Sequence, residues 1–266
     1  MLSKLLKYEI KATARIFLPL FAVLLIFAGV NKSISSLSQN KWQAPEVISF
    51  ILYITVLVGI LVMTLIVMIQ RFYKNLLTDE GYLMFTLPAK AWQHITSKLI
   101  VAMMWTVVSS IVAIISILII TFDVFFTSEN MQAILNSINE VFKEFGASAF
   151  LVMLEILLVI IVSMAACILM IYASIALGQL FNRHRILASL GAFIVLNTVS
   201  QILFMVAASI PGGMNLEKRI SSMNEFFSIL PVFHSVMWYC ILFFGVLSVG
   251  YFALSNYILK KRLNLE

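Results

Sequence analysis

Charged residues are scarce in this chain of 266 residues, since Asp, Glu, Lys and Arg together make up 11% of it, against about 25% in ordinary soluble domains. Hydrophobic residues make up 62%, and the mean hydropathy is +1.05. So many apolar side chains cannot fit inside one aqueous core, and much of the surface must therefore face lipid. The composition excludes a soluble globular protein and predicts a membrane protein.

Cysteine and catalytic motifs are also sparse. Cys167 and Cys240 lie inside apolar stretches without metal-ligand spacing, so we expect two buried thiols and no disulfide framework. The sequence has no Gly-rich phosphate loop, no G-x-G-x-x-G, no H-E-x-x-H and no G-x-S-x-G motif. We expect no catalytic residue, metal or cofactor in this chain, and no nucleotide hydrolysis by the chain alone. The net charge of +6 comes from short clusters without interleaved aromatics, which does not favour nucleic acid as a partner.

Six apolar stretches are each long enough to cross a bilayer as a helix of about 20 residues. The predicted spans cover residues 16–37, 47–70, 99–122, 148–181, 186–210 and 232–259. Of the 18 Lys and Arg residues, thirteen lie before span 1, between spans 2 and 3, between spans 4 and 5, or after span 6. The positive-inside rule therefore places both termini in the cytoplasm. The fold class is all-α, a polytopic membrane protein with six transmembrane helices.

Two segments outside these spans are expected on the outer side. Apolar residues recur at helical spacing over 128–145, which predicts an amphipathic helix that lies on the membrane or caps the bundle, with a role in substrate exit as the alternative. Residues 211–231 are predicted to be extracellular, with a short re-entrant piece before Pro231.

The first 14 residues have the pattern of an interfacial amphipathic helix that contacts membrane lipid. Four basic residues share its polar face: Lys4, Lys7, Lys11 and Arg15. Glu9 projects into the apolar face, where an unpaired carboxylate is costly. We therefore expect the helix to pack on protein as well as lipid. The predicted partner of Glu9 is one of three basic residues near the cytoplasmic ends of spans 2 and 4: Arg71, Lys74 or Arg183.

Between spans 2 and 3 lies a cytoplasmic segment, residues 71–98. Thr78 can cap a short helix with Asp79 and Glu80 in its first turn, and Pro88 ends that helix. The helix carries four consecutive apolar residues: Tyr82, Leu83, Met84 and Phe85. This is more apolar surface than a free loop shows to water, so the helix must dock, either on the chain's own helix ends or on a separate cytoplasmic partner.

Three polar residues inside the spans are candidates for function. Glu155 is the only acidic residue within a predicted span, and it is either functional or shallow enough to reach interfacial water or a hydroxyl. Asn197 and Gln201 are spaced i, i+4 in span 5, where they either hold helices together or line a pathway.

Four segments resemble the membrane subunits of bacterial type-2 ATP-binding-cassette exporters. They are LLKYEIKATARIFLPL at the N-terminus, RFYKNLLTDEGYLMFTLP followed by SKL, IALGQLFNRHR after span 4, and KKRLNLE at the C-terminus. The resemblance covers the whole chain, and its most specific part runs from Arg71 to Pro88. The chain is also similar to small members that export amphipathic peptides, among them the phenol-soluble modulin exporters. It lacks the large extracellular domain that some members carry.

The resemblance implies a half-transporter in the bacterial plasma membrane. Two permease copies, or this chain and a close paralogue, form the pathway, and two copies of a cytoplasmic ATPase subunit bind ATP and Mg. By this similarity the first 14 residues are the connecting helix. The coupling helix, which docks on the ATPase, consists of seven residues: Asp79, Glu80, Gly81, Tyr82, Leu83, Met84 and Phe85. Spans 2 and 5 face each other across the pathway in this family, which makes Asn197 and Gln201 candidate lining residues, with Glu155 as a third.

The sequence therefore predicts the permease subunit of an ATP-driven exporter of amphipathic or antimicrobial peptides. The alternatives are an exporter of lipids or small drugs and, in a different class, a membrane sensor or scaffold whose cytoplasmic loop binds a regulator.

Overall fold

The computed structural model describes residues 2–37, 44–77, 90–146, 148–181, 184–209 and 230–261, and this part of the chain is almost entirely helical. The helices in chain order are α1 (Leu2–Leu37), α2 (Ala44–Leu77), α3 (Ala91–Ile120), α4 (Phe122–Phe125), α5 (Ser128–Phe145), α6 (Ser148–Gly178), α7 (Arg185–Ser209) and α8 (Leu230–Lys261).

Six of these helices are long and apolar enough to cross a membrane: α1, α2, α3, α6, α7 and α8. All six expose large hydrophobic side chains, as a lipid environment requires. Over the described ranges, the prediction of an all-α, multi-pass membrane protein with six helices able to span the bilayer is confirmed. Helix α5 covers residues 128–145, the segment with the amphipathic pattern.

The N-terminal amphipathic segment and span 1 are not two separate elements. They form the single helix α1, and Pro19 lies inside it. No helix-breaking residue stands between the two segments. Leu6, Ile10 and Ala14 also pack against the same apolar cluster as Phe17, so one face continues from the first segment into the second.

Several other helices extend beyond the predicted spans. Helix α2 continues to Leu77 and α3 begins at Ala91, so much of the segment 71–98 is helical rather than a loop. Helix α8 begins at Leu230, with Pro231 in its first turn, where a missing N–H costs no hydrogen bond. The predicted coupling helix Asp79–Phe85 and residues 211–229 lie outside the described residues.

The chain divides into two compact units, of which the first contains Met1–Arg71 and Thr96–Glu144. Its apolar core brings α1, α2 and α3 together, and the Phe17 and Trp105 rings stack with centroids 4.5 Å apart. Polar pairs join the same helices. Trp105 Nε1 donates to Thr13 Oγ1 at 2.7 Å, and the Tyr53 and Ser116 hydroxyls are 2.8 Å apart. Such hydrogen bonds hold membrane helices together where lipid competes for apolar contacts.

The second unit contains Phe72–Ile95 and Phe145–Glu266. Helix α6 packs against both α7 and α8. Buried Phe72 stacks on buried Tyr172 with ring centroids 4.1 Å apart. At the end of α6, Gly178 lies so close to the first turn of α7 that an added Cβ would be 2.6 Å from Ser189 Cβ and 2.8 Å from the Arg185 carbonyl oxygen.

This close approach gives a prediction for Gly178→Ala. Because the contacted atoms include backbone atoms, they cannot move aside without an energetic cost. We therefore expect the free energy of unfolding of the variant to fall by about 2 kcal/mol. Thermal unfolding in detergent measures the loss. Gly191→Ala is the matched control, since a Cβ there meets nothing within 4 Å. Equal stability of the two variants would contradict the close packing of α6 on α7.

Candidate functional site

A buried carboxylate joins three helices of the first unit. Lys98 Nζ, from α3, donates to Glu9 Oε1 at 2.6 Å, and Arg71 Nη1, near the end of α2, lies 3.8 Å from Glu9 Oε2. The Glu9 and Lys98 side chains are 10% and 3% exposed. The prediction that Glu9 has a basic partner is confirmed, with Arg71 among the candidates named.

Lys98 is not among the predicted partners, because hydropathy places it at the end of a loop. Helix α3 begins seven residues earlier, so Lys98 lies two turns inside a helix that packs on α1. Arg183 is outside the described residues. The four basic residues of the predicted polar face are all exposed: Lys4, Lys7, Lys11 and Arg15.

A second buried carboxylate lies in the other unit. Glu155, in α6, is buried, and its Oε2 is 2.7 Å from Nδ1 of His234 in α8. Glu155 therefore has a protein partner in the second unit. His234 is not among the predicted site residues. Its position one turn after Pro231 in a span was the available signal.

The second unit also contains a cavity of about 270 Å³ between α6, α7 and α8. Asn197 and Gln201, which their i, i+4 spacing places on one helix face, both line it. Ser200 lies beside them, and its hydroxyl bonds to the Leu196 carbonyl and to the Tyr251 hydroxyl of α8. Within the described chain, neither amide has a hydrogen-bond partner. The residue that connects the helices here is Ser200, not Asn197 or Gln201.

The expectation of two buried thiols is wrong. Cys167 is exposed and lines the cavity, and Cys240 is only partly buried. An apolar stretch in sequence does not separate a side chain that faces the protein interior from one that faces lipid, because both environments select the same residues.

No protein family, curated protein or solved structure matches this chain. Over the described ranges, no three His, Cys, Asp or Glu side chains lie together as a metal site. A function can be argued from three sites. They are the cluster of Glu9, Arg71 and Lys98, called the Glu9 cluster below, the pair of Glu155 and His234, and the cavity between α6, α7 and α8.

Proposed function

We propose that this chain is the permease subunit of an ATP-driven exporter of amphipathic or antimicrobial peptides, driven by a separate cytoplasmic ATPase that binds ATP and Mg. The protein lies in the plasma membrane with both termini in the cytoplasm. The observation that carries the proposal is the Glu9 cluster, together with the resemblance of the segment beside it to a coupling helix.

Glu9 contacts the chain on both sides of the predicted docking segment. Arg71 precedes residues 79–85 and Lys98 follows them, and both bind the same carboxylate of α1. Because the chain is held to α1 both before and after this segment, we expect a displacement of the segment to reach α1. This is the mechanical property that ATP-driven transport needs between an ATPase and the spans, and it supports the proposal over a loop that only binds a regulator.

The exposure of α7 supports the pairing of two permease copies. None of residues 185–207 is buried, and Gln201 is exposed near the middle of this apolar helix. A side-chain amide facing hydrocarbon leaves its hydrogen-bonding groups unsatisfied, so this face requires protein or water against it. A second copy across a central pathway supplies both, and in a closed pair the same face appears on both sides.

The docking of the ATPase is tested with Tyr82→Ala plus Phe85→Ala. We expect the double variant to lose most of the copurifying ATPase while it still inserts in the membrane, because aromatic anchors dominate such interfaces. Where a neighbouring reading frame encodes an ATP-binding-cassette ATPase, that subunit is coexpressed with the permease, which carries an affinity tag.

The control is Phe142→Ala plus Phe150→Ala, which removes two exposed aromatic side chains from α5 and α6. This variant should keep the ATPase. Unchanged copurification and unchanged peptide-stimulated ATP hydrolysis in the Tyr82 and Phe85 variant would reject the coupling role and favour a sensor or scaffold.

A further inference from the structure

The cavity of the second unit lies near the middle of its helices. Asn197 is twelve residues from either end of α7, which at 1.5 Å per residue is about 18 Å from each end. Cys167 and Phe244, on the walls from α6 and α8, are also well inside their helices. In a bilayer with a hydrocarbon core of about 30 Å, the cavity is therefore at the depth where lipid carries no polar group.

The walls of the cavity are adaptable and apolar. Met170, Phe204, Met205 and Phe244 contribute thioether and aromatic surfaces, which fit side chains of different shapes. The volume of about 270 Å³ exceeds the roughly 150 Å³ that suffices for a benzene ring in an apolar protein cavity. Cys167, Gln201 and Met205 are exposed, so the cavity opens to the outside of the unit.

The side-chain amides of Asn197 and Gln201 require hydrogen-bonding groups from any ligand that fills the cavity. Ser200 and Tyr251 bond to each other, whereas Asn197 and Gln201 have no bond from the described part of the chain. An unsatisfied amide in hydrocarbon costs several kcal/mol. A lipid tail fills the apolar space and leaves both amides unsatisfied. A peptide offers backbone N–H and C=O groups a few ångströms from an apolar side chain, and so satisfies both requirements.

We propose that this cavity binds one bulky apolar side chain of the transported peptide, and that Asn197 and Gln201 hydrogen-bond to the peptide backbone beside it. The inference rests on the proposed function and makes it specific. The cavity selects peptides that carry an aromatic or large aliphatic residue, and the amides distinguish a peptide from a lipid tail.

Photo-crosslinking tests the inference without the ATPase. The protein is placed in phosphatidylcholine and phosphatidylglycerol vesicles with a synthetic amphipathic peptide that carries benzoylphenylalanine at one apolar position near its end, where the backbone groups are not bonded within a helix. We expect crosslinks to Met170, Phe204 or Met205. Excess peptide with Phe at that position should suppress them, and excess peptide with Ala should be about tenfold less effective, because it loses the burial of one large side chain.

Two variants of the protein complete the test. Cys167→Phe fills the cavity from an exposed position and should reduce the crosslinks about tenfold, whereas Cys240→Phe, the same change outside the cavity lining, should leave them unchanged. Asn197→Leu plus Gln201→Leu keeps the apolar walls and should also weaken crosslinking. Circular dichroism and thermal unfolding establish that each variant is folded, and the comparison of Phe and Ala peptides needs no variant.

Three results would overturn the inference. The first is crosslinking spread over lipid-exposed positions such as Val246 and Val249. The second is labelling of the cavity by a phospholipid with a photoreactive tail, when excess peptide does not suppress that labelling. The third is crosslinking between two copies at Gln201 that excludes the peptide. ATP-driven export of the same peptide is measured in parallel. Export without labelling of the cavity rejects only this site, whereas absence of export rejects the proposed function.

Discussion

Glu9→Gln is expected to lower the free energy of unfolding by about 3 kcal/mol, because it removes the negative charge that lies against a buried ammonium. The Lys98 side chain is 3% exposed, and its Nζ is 2.6 Å from Glu9 Oε1. Arg71 cannot compensate, since it carries the same charge. The amide of Gln keeps the shape of the side chain and one hydrogen-bond acceptor. The loss of stability therefore measures the effect of removing the charge rather than a change in packing.

Substitution of Arg71, or of Lys98 together with Glu9, is expected to give a smaller loss of stability than Glu9→Gln alone. Arg71→Gln should cost less than about 1 kcal/mol, because the Arg71 side chain is partly exposed and its ion pair with Glu9 is longer, at 3.8 Å. Glu9→Gln combined with Lys98→Met should recover much of the stability, since the buried ammonium is then removed together with the carboxylate that faces it. Thermal unfolding and SDS titration in mixed micelles measure all three variants.

The double variant also separates stability from coupling. If the ion pair fixes the ends of the docking segment to α1, the recovered protein should still bind the ATPase but show weaker stimulation of ATP hydrolysis by peptide. Equal stability of Glu9→Gln and Arg71→Gln would contradict the buried pair, and full coupling in the double variant would contradict its mechanical role.

The six spans could be predicted because hydropathy measures the same quantity that the bilayer selects. It does not report where a helix ends. Helix α3 begins at Ala91, eight residues before the predicted span, since residues such as Gln93 and Lys98 are compatible with a helix although they are not typical of hydrocarbon. The continuity of α1 was hidden for the same reason, because its basic first half and apolar second half differ in composition but not in helix-forming ability.

The two buried carboxylates show how far the sites could be predicted. The position of Glu9 on an apolar face is a local property of one helix, and it indicated correctly that a basic partner exists. The identity of the partner depends on packing across 89 residues of sequence, which no local pattern contains. Glu155 was identified as a polar residue in a span, but its pairing with His234 depends on the register of α6 against α8.

The pair of Glu155 and His234 gives the last prediction, in which its two members respond differently to substitution. His234→Ala leaves the carboxyl group of Glu155 buried without a partner, and we expect a loss of about 3 kcal/mol. Glu155→Gln should cost only about 1 kcal/mol, because an amide still bonds to the imidazole, which is itself partly exposed.

His234→Gln is the matched rescue variant, since its side-chain N–H can donate to Glu155, and it should recover part of the stability lost in His234→Ala. Thermal unfolding in detergent ranks the three variants. Equal, small losses in Glu155→Gln and His234→Ala would show that the pair does not hold α6 to α8.

Export separates the two interpretations of Glu155. Because its carboxylate is buried and bonded to His234, we expect it to position α6 against α8 rather than to contact the transported peptide. Glu155→Gln, which stays folded, should therefore export a cationic peptide at close to the normal rate. A loss of export for cationic but not for neutral peptides in this variant would instead place the carboxylate in the pathway, where it interacts directly with the charge of the transported peptide.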